Sequence, residues 1–354
     1  MRTTPSRSRL GKIALDATYS LGDALSGVGV YSREILNGVA ASGFAERWDW
    51  FYRSQRYLRA RGLPHPPNVT PRLLADSWGN RGADLFHGLN QRLPRRRFRR
   101  QIATFHDLFV LSGEYSTAEF RQRFAAQAKE AAAGADLIIA VSAFTAGQVE
   151  SYLGVPRSRI RVIHHGLVPR VLPDVRREKV VLCVGAIQRR KNQAGLVRAF
   201  RALPQDWTLV LAGSQGFEAA ETLAEIAASS CRDRIRITGY LSDEALAGWY
   251  ARARIFAFPS FDEGFGIPLI EAMAAGVPIV TGNRSAPPEV VGDAALLVDP
   301  SSDDEIASAL VRLAGDDGLG ETLVGLGRTR AAGFTWATAV GRTLDVYREL
   351  LPGE

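Results

Sequence analysis

The chain has 354 residues, 46% hydrophobic and 23% charged, with a formal charge of +7. At roughly 100–200 residues per domain, this length supports two domains with large cores, and the composition excludes a disordered or fibrous chain. No run reaches the roughly 18 apolar residues of a membrane span, and no apolar stretch of about 7–15 residues follows the basic start, so neither a span nor a secretory signal is expected.

In chain order, KIALDA (12–17) reads as a first buried strand, followed by the glycine-bearing loop LGDALSGVGVY and a helix through SREILNGVAASG. DLFHG (84–88) and QIATFHDLF (101–109) are short strand-like runs that end at polar residues. TAEFRQRFAAQAKEAAAG (117–134) is helical, DLIIAVS (136–142) is a strand, Ser142 begins a short helix, and RIRVIHHG (159–166) closes the first half. LVPRVLPDVRRE (167–178), with two prolines and a charge cluster, is the linker. The pattern then restarts: strands at KVVLCVG, TLVLAG, RIRITG, RIFAFPS, VPIVTG and ALLVDP alternate with helices. Two further helices, 303–315 and 335–350, end the chain. Apolar strands alternating with helices on both sides of a linker predict an α/β protein of two doubly wound parallel-sheet domains facing across a cleft. Ligands of such sheets bind beyond the carboxyl ends of the strands.

Cys183 and Cys231 stand far apart without metal-ligand spacing. This usage fits a reducing compartment, so the expected location is cytoplasmic, with peripheral association at a membrane as an open alternative. The positive excess favours phosphorylated substrates, anionic lipid or nucleic acid. No helix-turn-helix, zinc-knuckle or aromatic RNA-binding signature is present, and nucleic acid is not an expected partner.

Four clusters fall at predicted strand ends. Gly27 and Gly29, in GVGVY, could admit main-chain N–H groups to a phosphate or simply make a tight turn. His106 and Asp107 end an apolar strand; His106 is either a satisfied local histidine or a donor to a hydroxyl or phosphate oxygen. In VGAIQRRKN, a buried strand delivers Gly185, and Arg189, Arg190 and Lys191 arrive just ahead of a helix, where fixed cations and helix N–H dipoles suit a diphosphate. In FPSFDEGFGIPLIEAMAAG (258–276), Ser260 ends a strand, Glu263 sits in a loop, Pro268 suits a first helical turn, and Glu271 lies about one turn inside the helix. Glu289, in APPEVVG, falls near the same rim. No Cys, His or carboxylate cluster completes a metal site.

EGFGIPLIE, followed by AMAAGVPIVTG and PEVVGDAALLVDP, resembles the C-terminal domain of glycosyltransferase family 4, and RKN after VG, TGYLSDEAL, VSAFT and FHDL stand in the expected order. The resemblance covers essentially the whole chain and is densest from 180 to 300. It implies a GT-B fold with an acceptor-side domain at 1–170, a nucleotide-sugar domain at 171–335, and a helix at 336–354, including Trp336, that crosses back to the first domain. It implies retaining transfer without a metal or cofactor, from a nucleotide sugar. In that reading Lys191, with Arg190, neutralises the diphosphate; Glu263 holds donor-sugar hydroxyls; Glu271 accepts from the ribose. Backbone at Gly264, Phe265 and Gly266 approaches sugar and diphosphate, His106 stands by the reacting sugar, and the Gly27–Gly29 loop closes over the ligand.

One departure is Ala186, where many relatives carry an arginine; Arg190 is the candidate replacement. The RKN branch looks mannosyltransferase-like, which favours GDP-mannose, with UDP- or other GDP-sugars as alternatives. The expected acceptor is a saccharide or a lipid-linked saccharide. LPRRRFRR (93–100) is either a solvated loop or, through Arg95–Arg100 with Phe98 as an apolar contact, a contact for an anionic membrane. Two other classes stay open: hydrolysis or epimerisation of the nucleotide sugar, and a binding protein without transfer. The sequence does not fix an oligomeric state.

Overall fold

The computed structural model describes residues 12–22, 25–75 and 82–351; the basic start lies outside them. The chain divides into two compact units. One comprises residues up to Leu108, Glu119–Gly166 and Trp336 onward; the other comprises Phe109–Ala118 and Leu167–Thr335.

The first unit holds β1 (Ile13–Asp16), α1 (Gly27–Ala41), β2 (Trp48–Arg53), α2 (Ser54–Arg61), β3 (Val69–Leu74), β4 (Leu85–Gly88) and β5 (Arg100–Phe105). After α3 (Phe109–Ser112), which belongs to the second unit, follow α4 (Ala118–Gly134), β6 (Leu137–Ala140), α5 (Ala143–Leu153) and β7 (Ile160–Val162). The seven strands form one parallel sheet in the order β3-β2-β1-β4-β5-β6-β7. Both faces are buried. Ile13, Leu15, Trp48 and Trp50 pack with Ile35, Leu36 and Val39 of α1 on one face, while Ala14, Phe51, Phe86 and Phe98 cluster on the other.

The second unit holds β8 (Glu178–Val184), α6 (Gln193–Phe200), β9 (Thr208–Ala212), α7 (Ala219–Ala228), β10 (Ile235–Gly239), α8 (Asp243–Arg252) and β11 (Ala253–Phe258). It continues through α9 (Ile267–Ala274), β12 (Ile279–Gly282), α10 (Pro287–Val291), β13 (Ala295–Val298), α11 (Asp303–Gly315) and α12 (Asp317–Ala331). Its six strands are parallel in the order β10-β9-β8-β11-β12-β13. The central strands β8 and β11 are buried along most of their length, because helices cover them on both faces. Arg177, just ahead of β8, donates to four carbonyls: Tyr250 at 3.2 Å and Ala253 at 2.5 Å near the end of α8, and Ala275 at 2.7 Å and Gly276 at 2.8 Å beyond α9. A cation on these orphan carbonyls satisfies both helix ends and opposes their negative dipoles.

The last helix, α13 (Trp336–Leu350), packs on α1 in the first unit through Val340, Leu344 and Tyr347. A Cβ at Gly38 would lie 2.4 Å from Val340 Cγ2, so only glycine permits this approach. Tyr347 also ends a buried polar chain. Its hydroxyl meets His87 Nδ1 at 2.7 Å; His87 Nε2 meets Thr104 Oγ1 at 2.8 Å, and Thr104 Oγ1 meets Tyr31 Oη at 3.1 Å.

Several expectations need correction. Gly27 and Gly29 lie in the first turn of α1, whose N-cap Ser26 accepts from Gly29 N at 3.4 Å; they form no loop. Phe98 is buried and stacked on Phe86 at 4.7 Å, so it offers a membrane no apolar contact. Arg97 and Arg100 pair with Asp136, and Arg99 with Asp84. Strand β2 goes unseen in the sequence because Asp49 interrupts it; Lys12 at 3.0 Å and Arg72 at 2.8 Å pair that buried acid. Strand β3 contains Pro71, which an edge strand tolerates. Helix α12 carries four glycines in DGLGETLVGLGRTRA, which lowers its intrinsic helix signal.

Two outcomes follow from this packing. Arg177→Met is expected to destabilise the second unit by roughly 2–4 kcal/mol, the cost of stranding several carbonyls, measured by chemical denaturation; a change within noise would contradict the capping role. Burial lowers the pKa of His87 to about 3 and of His106 to about 4, and pushes His165 well down. Their folded values lie below the unfolded value of 6.5, so this stability is complete above that value and is lost as pH falls toward 4 and 3. The thermal midpoint of the first unit should drop on acidification through that window, and His87→Asn should flatten part of the slope.

Candidate active site

In the second unit, the candidate residues follow the ends of β8 and β11. After β8 the backbone turns at Gly185, with φ of +138°, and a Cβ there would lie 3.0 Å from Lys191 Cε. A 3-10 turn, Arg189–Lys191, then leads into α6. Asn192 caps that helix by accepting from Gly195 N at 3.2 Å and donates to the Pro300 carbonyl at 2.6 Å. These anchors fix Arg190 and Lys191 rather than leaving them as a solvated run.

Both cations converge on Glu263. Lys191 Nζ lies 2.7 Å from Oε1 and Arg190 Nη1 lies 3.0 Å from Oε2. Arg190 also donates to the Asp262 carbonyl, and its guanidinium sits 4.5 Å from the Phe109 ring centroid; Lys191 Nζ sits 4.7 Å from that of Phe258. Arg190 and Glu263 are 7% exposed. Burial alone would raise the Glu263 pKa, but Arg190 and Lys191 outweigh it and bring it down to about 2. Glu263 is therefore an anion at any working pH. It cannot serve as a general acid near neutrality, and it is too weak a base to accept a proton there.

The loop is held from several sides. Glu263 N donates to Ser285 Oγ at 3.0 Å, Phe261 N to the Arg190 carbonyl at 2.8 Å, and Ser112 Oγ to Asp262 Oδ2 at 2.5 Å. Gly266, at φ +96°, turns the chain into α9. Phe265 packs edge-on against Phe334 at 5.7 Å, which leaves only its backbone for a ligand. Ser260 is fully buried, and its Oγ has no hydrogen-bond partner among the described residues.

Other predicted residues have contacts of their own. Arg189 turns toward Glu218 at 3.5 Å and Glu221 at 3.9 Å. Glu289 lies in the short helix α10. Glu271, in the second turn of α9, accepts from Arg170 and Tyr250, two partners the sequence did not suggest. His106 belongs to the first unit, beyond β5, with Tyr31 edge-on at 4.7 Å and His165 stacked at 5.5 Å. Its Nε2 lies 2.9 Å from the Leu89 carbonyl. A carbonyl only accepts, so the neutral ring carries its proton on Nε2, and Nδ1 is an acceptor. The expectation of a donating His106 is corrected accordingly. Among the described residues, no group of three or more His, Cys, Asp or Glu could hold a metal.

Comparison with known proteins bears on the family and the fold. Residues 25–170 match the model described as Glycosyltransferase Family 4, and residues 178–316 match the one described as Glycosyl transferases group 1. The chain is 33% identical over 285 residues to O-antigen chain mannosyltransferase B of Escherichia coli, across 75% of this chain and 74% of that one. Its fold is similar to that of sucrose-phosphate synthase from Thermosynechococcus elongatus, with a TM-score of 0.79 at 23% identity over 97% of this chain and 100% of that chain. It is also similar to HepE from Anabaena in complex with UDP and glucose, with a TM-score of 0.71 at 18% identity over 95% of this chain and 99% of that chain. These likenesses show the GT-B fold, and with the family models and the 33% identity they make the chain a glycosyltransferase that belongs to family 4.

Proposed function

We propose that this glycosyltransferase moves mannose from GDP-mannose to a hydroxyl of a saccharide or lipid-linked acceptor, with retention and without a metal, in polysaccharide or glycoconjugate biosynthesis. One observation carries the donor-site reading: the ion triplet of buried Arg190 and Glu263 with half-buried Lys191, beyond the ends of β8 and β11. The choice of mannose is supported by the identity with an O-antigen chain mannosyltransferase. The alternative donor is a UDP- or other GDP-sugar, and the alternative role is that of a catalytically weak nucleotide-sugar-binding protein.

As the glycosidic bond breaks, negative charge grows on the diphosphate. A Lys191 ammonium has three donors, of which Glu263 uses one, so two remain for phosphate oxygens. Glu263 has one oxygen on each cation, and each oxygen keeps a lone pair for a donor-sugar hydroxyl. The carboxylate thus orients both the cations and the sugar, while the cations do the electrostatic work. With Glu263 already neutralised by two cations, no covalent nucleophile is assigned. The acceptor hydroxyl attacks on the face the diphosphate leaves, and its proton passes to a departing phosphate oxygen. Glu271 takes the ribose, backbone at Gly264 and Gly266 approaches the diphosphate, and His106 offers Nδ1 to a hydroxyl of the reacting sugar. A cytoplasmic protein peripheral at the inner membrane face would use Arg95 and Arg96, both exposed, for anionic lipid.

A donor panel of GDP-mannose, other GDP-sugars and UDP-sugars, assayed for turnover with and without EDTA, tests the proposal. GDP-mannose should be consumed only with acceptor and at an unchanged rate in EDTA, and Lys191→Met should lower kcat by about 10²–10³-fold with the fold retained. Consumption of UDP-sugars alone would overturn the donor. Loss of turnover in EDTA would overturn the metal-free mechanism.

A further inference from the structure

Glu271 accepts three hydrogen bonds from two residues. Its Oε1 accepts from Arg170 Nη2 at 2.9 Å and Nε at 3.3 Å, and its Oε2 accepts from Tyr250 Oη at 2.9 Å. Arg170 Nη1 donates to Asp243 Oδ1 at 2.6 Å, so one guanidinium joins the segment before β8 to the starts of α8 and α9.

The two arms differ in environment. The Asp243 side chain is 88% exposed, and a pair to it contributes little. The Glu271 side chain is 10% exposed, so that arm is largely desolvated and directional. An arginine that only fastened the linker would need no more than the exposed partner. A carboxylate offers about four lone-pair positions. Arg170 fills the two on Oε1, Tyr250 fills one on Oε2, and the last one on Oε2 faces no donor among the described residues. Tyr250 is a dependable donor, because burial and the adjacent Glu271 push its ionisation well up.

We infer that Arg170 is a positioning residue for the nucleotide ribose: by occupying Oε1 it orients Glu271 so that Oε2 accepts a single ribose hydroxyl. The inference rests on the reading of Glu271 as the ribose ligand. It makes the selectivity for that hydroxyl a property of a residue 101 positions away in sequence.

Isothermal titration of GDP, UDP and their 2′-deoxy and 3′-deoxy forms into the wild type, Glu271→Gln, Arg170→Gln and Arg170→Lys tests it. The wild type should bind the preferred ribonucleoside diphosphate about tenfold tighter than one deoxy form, the value of one charge-assisted hydrogen bond, and equally to the other. Arg170→Gln should abolish that preference and leave affinity for the discriminated deoxy form unchanged; Arg170→Lys should retain part of it. If Glu271→Gln keeps the preference, the ribose reading itself falls. If Glu271→Gln loses it, the reading stands, and the inference alone falls on any of three results: Arg170→Gln keeps the preference, weakens all forms equally, or tightens binding. Equal losses with both deoxy forms in the wild type would also overturn it, since Oε1 would then be in use.

Discussion

The ion triplet of Glu263 with Arg190 and Lys191 is the constraint on which the rest of the second unit's site depends. Two cations side by side beyond the carboxyl ends of the central strands repel one another and would swing toward solvent. A buried carboxylate between them holds both in place, and they in turn keep it ionised against burial. Removing one partner of such a cluster leaves a charge stranded, so its geometry is over-determined. The pieces around it serve that geometry: Gly185 leaves room for the Lys191 stem, Asn192 ties the turn to Pro300, and Ser285 and Ser112 hold the Asp262–Glu263 loop. The triplet carries a net positive charge, which suits a diphosphate whose charge increases as it leaves.

The same logic appears twice more at smaller scale. Arg170 and Tyr250 set the plane of Glu271, and Arg177 closes the ends of α8 and α9 from the strand side. Two arginines of one irregular segment thus anchor the elements that present the second acid. In the first unit the buried polar chain is neutral. Tyr347, His87, Thr104 and Tyr31 tie the last helix to the sheet and to α1, and burial keeps the histidines unprotonated.

Much of this was legible in the sequence, and the reasons differ by element. Strands β8 and β11 announce themselves as apolar runs because helices cover both faces, and Pro268 with Gly266 marks the start of α9. The ion pair of Glu263 with Lys191 was not legible, since 72 residues separate the two and the family resemblance gives them separate roles, one on the sugar and one on the diphosphate. Strands β2 and β3 and helix α12 were missed because a paired acid, an edge proline and four glycines each erase a local signal. Gly27 and Gly29 look like a loop and begin a helix, because Ser26 supplies the cap. Arg170 and Arg177 sit in a segment with linker composition, where a charge cluster ordinarily means solvent; their partners come from elements far along the chain.

The measurement that bears most directly on the central claim is the pKa of Glu263. It can be followed by NMR of ¹³C-glutamate-labelled protein, with the resonance assigned by its loss in Glu263→Gln. The account predicts titration near 2, with the carboxylate ionised throughout the range of activity. A value at or above the ordinary 4.5 would mean that the cations do not hold the acid, and the ion triplet would not be the organising element of the site.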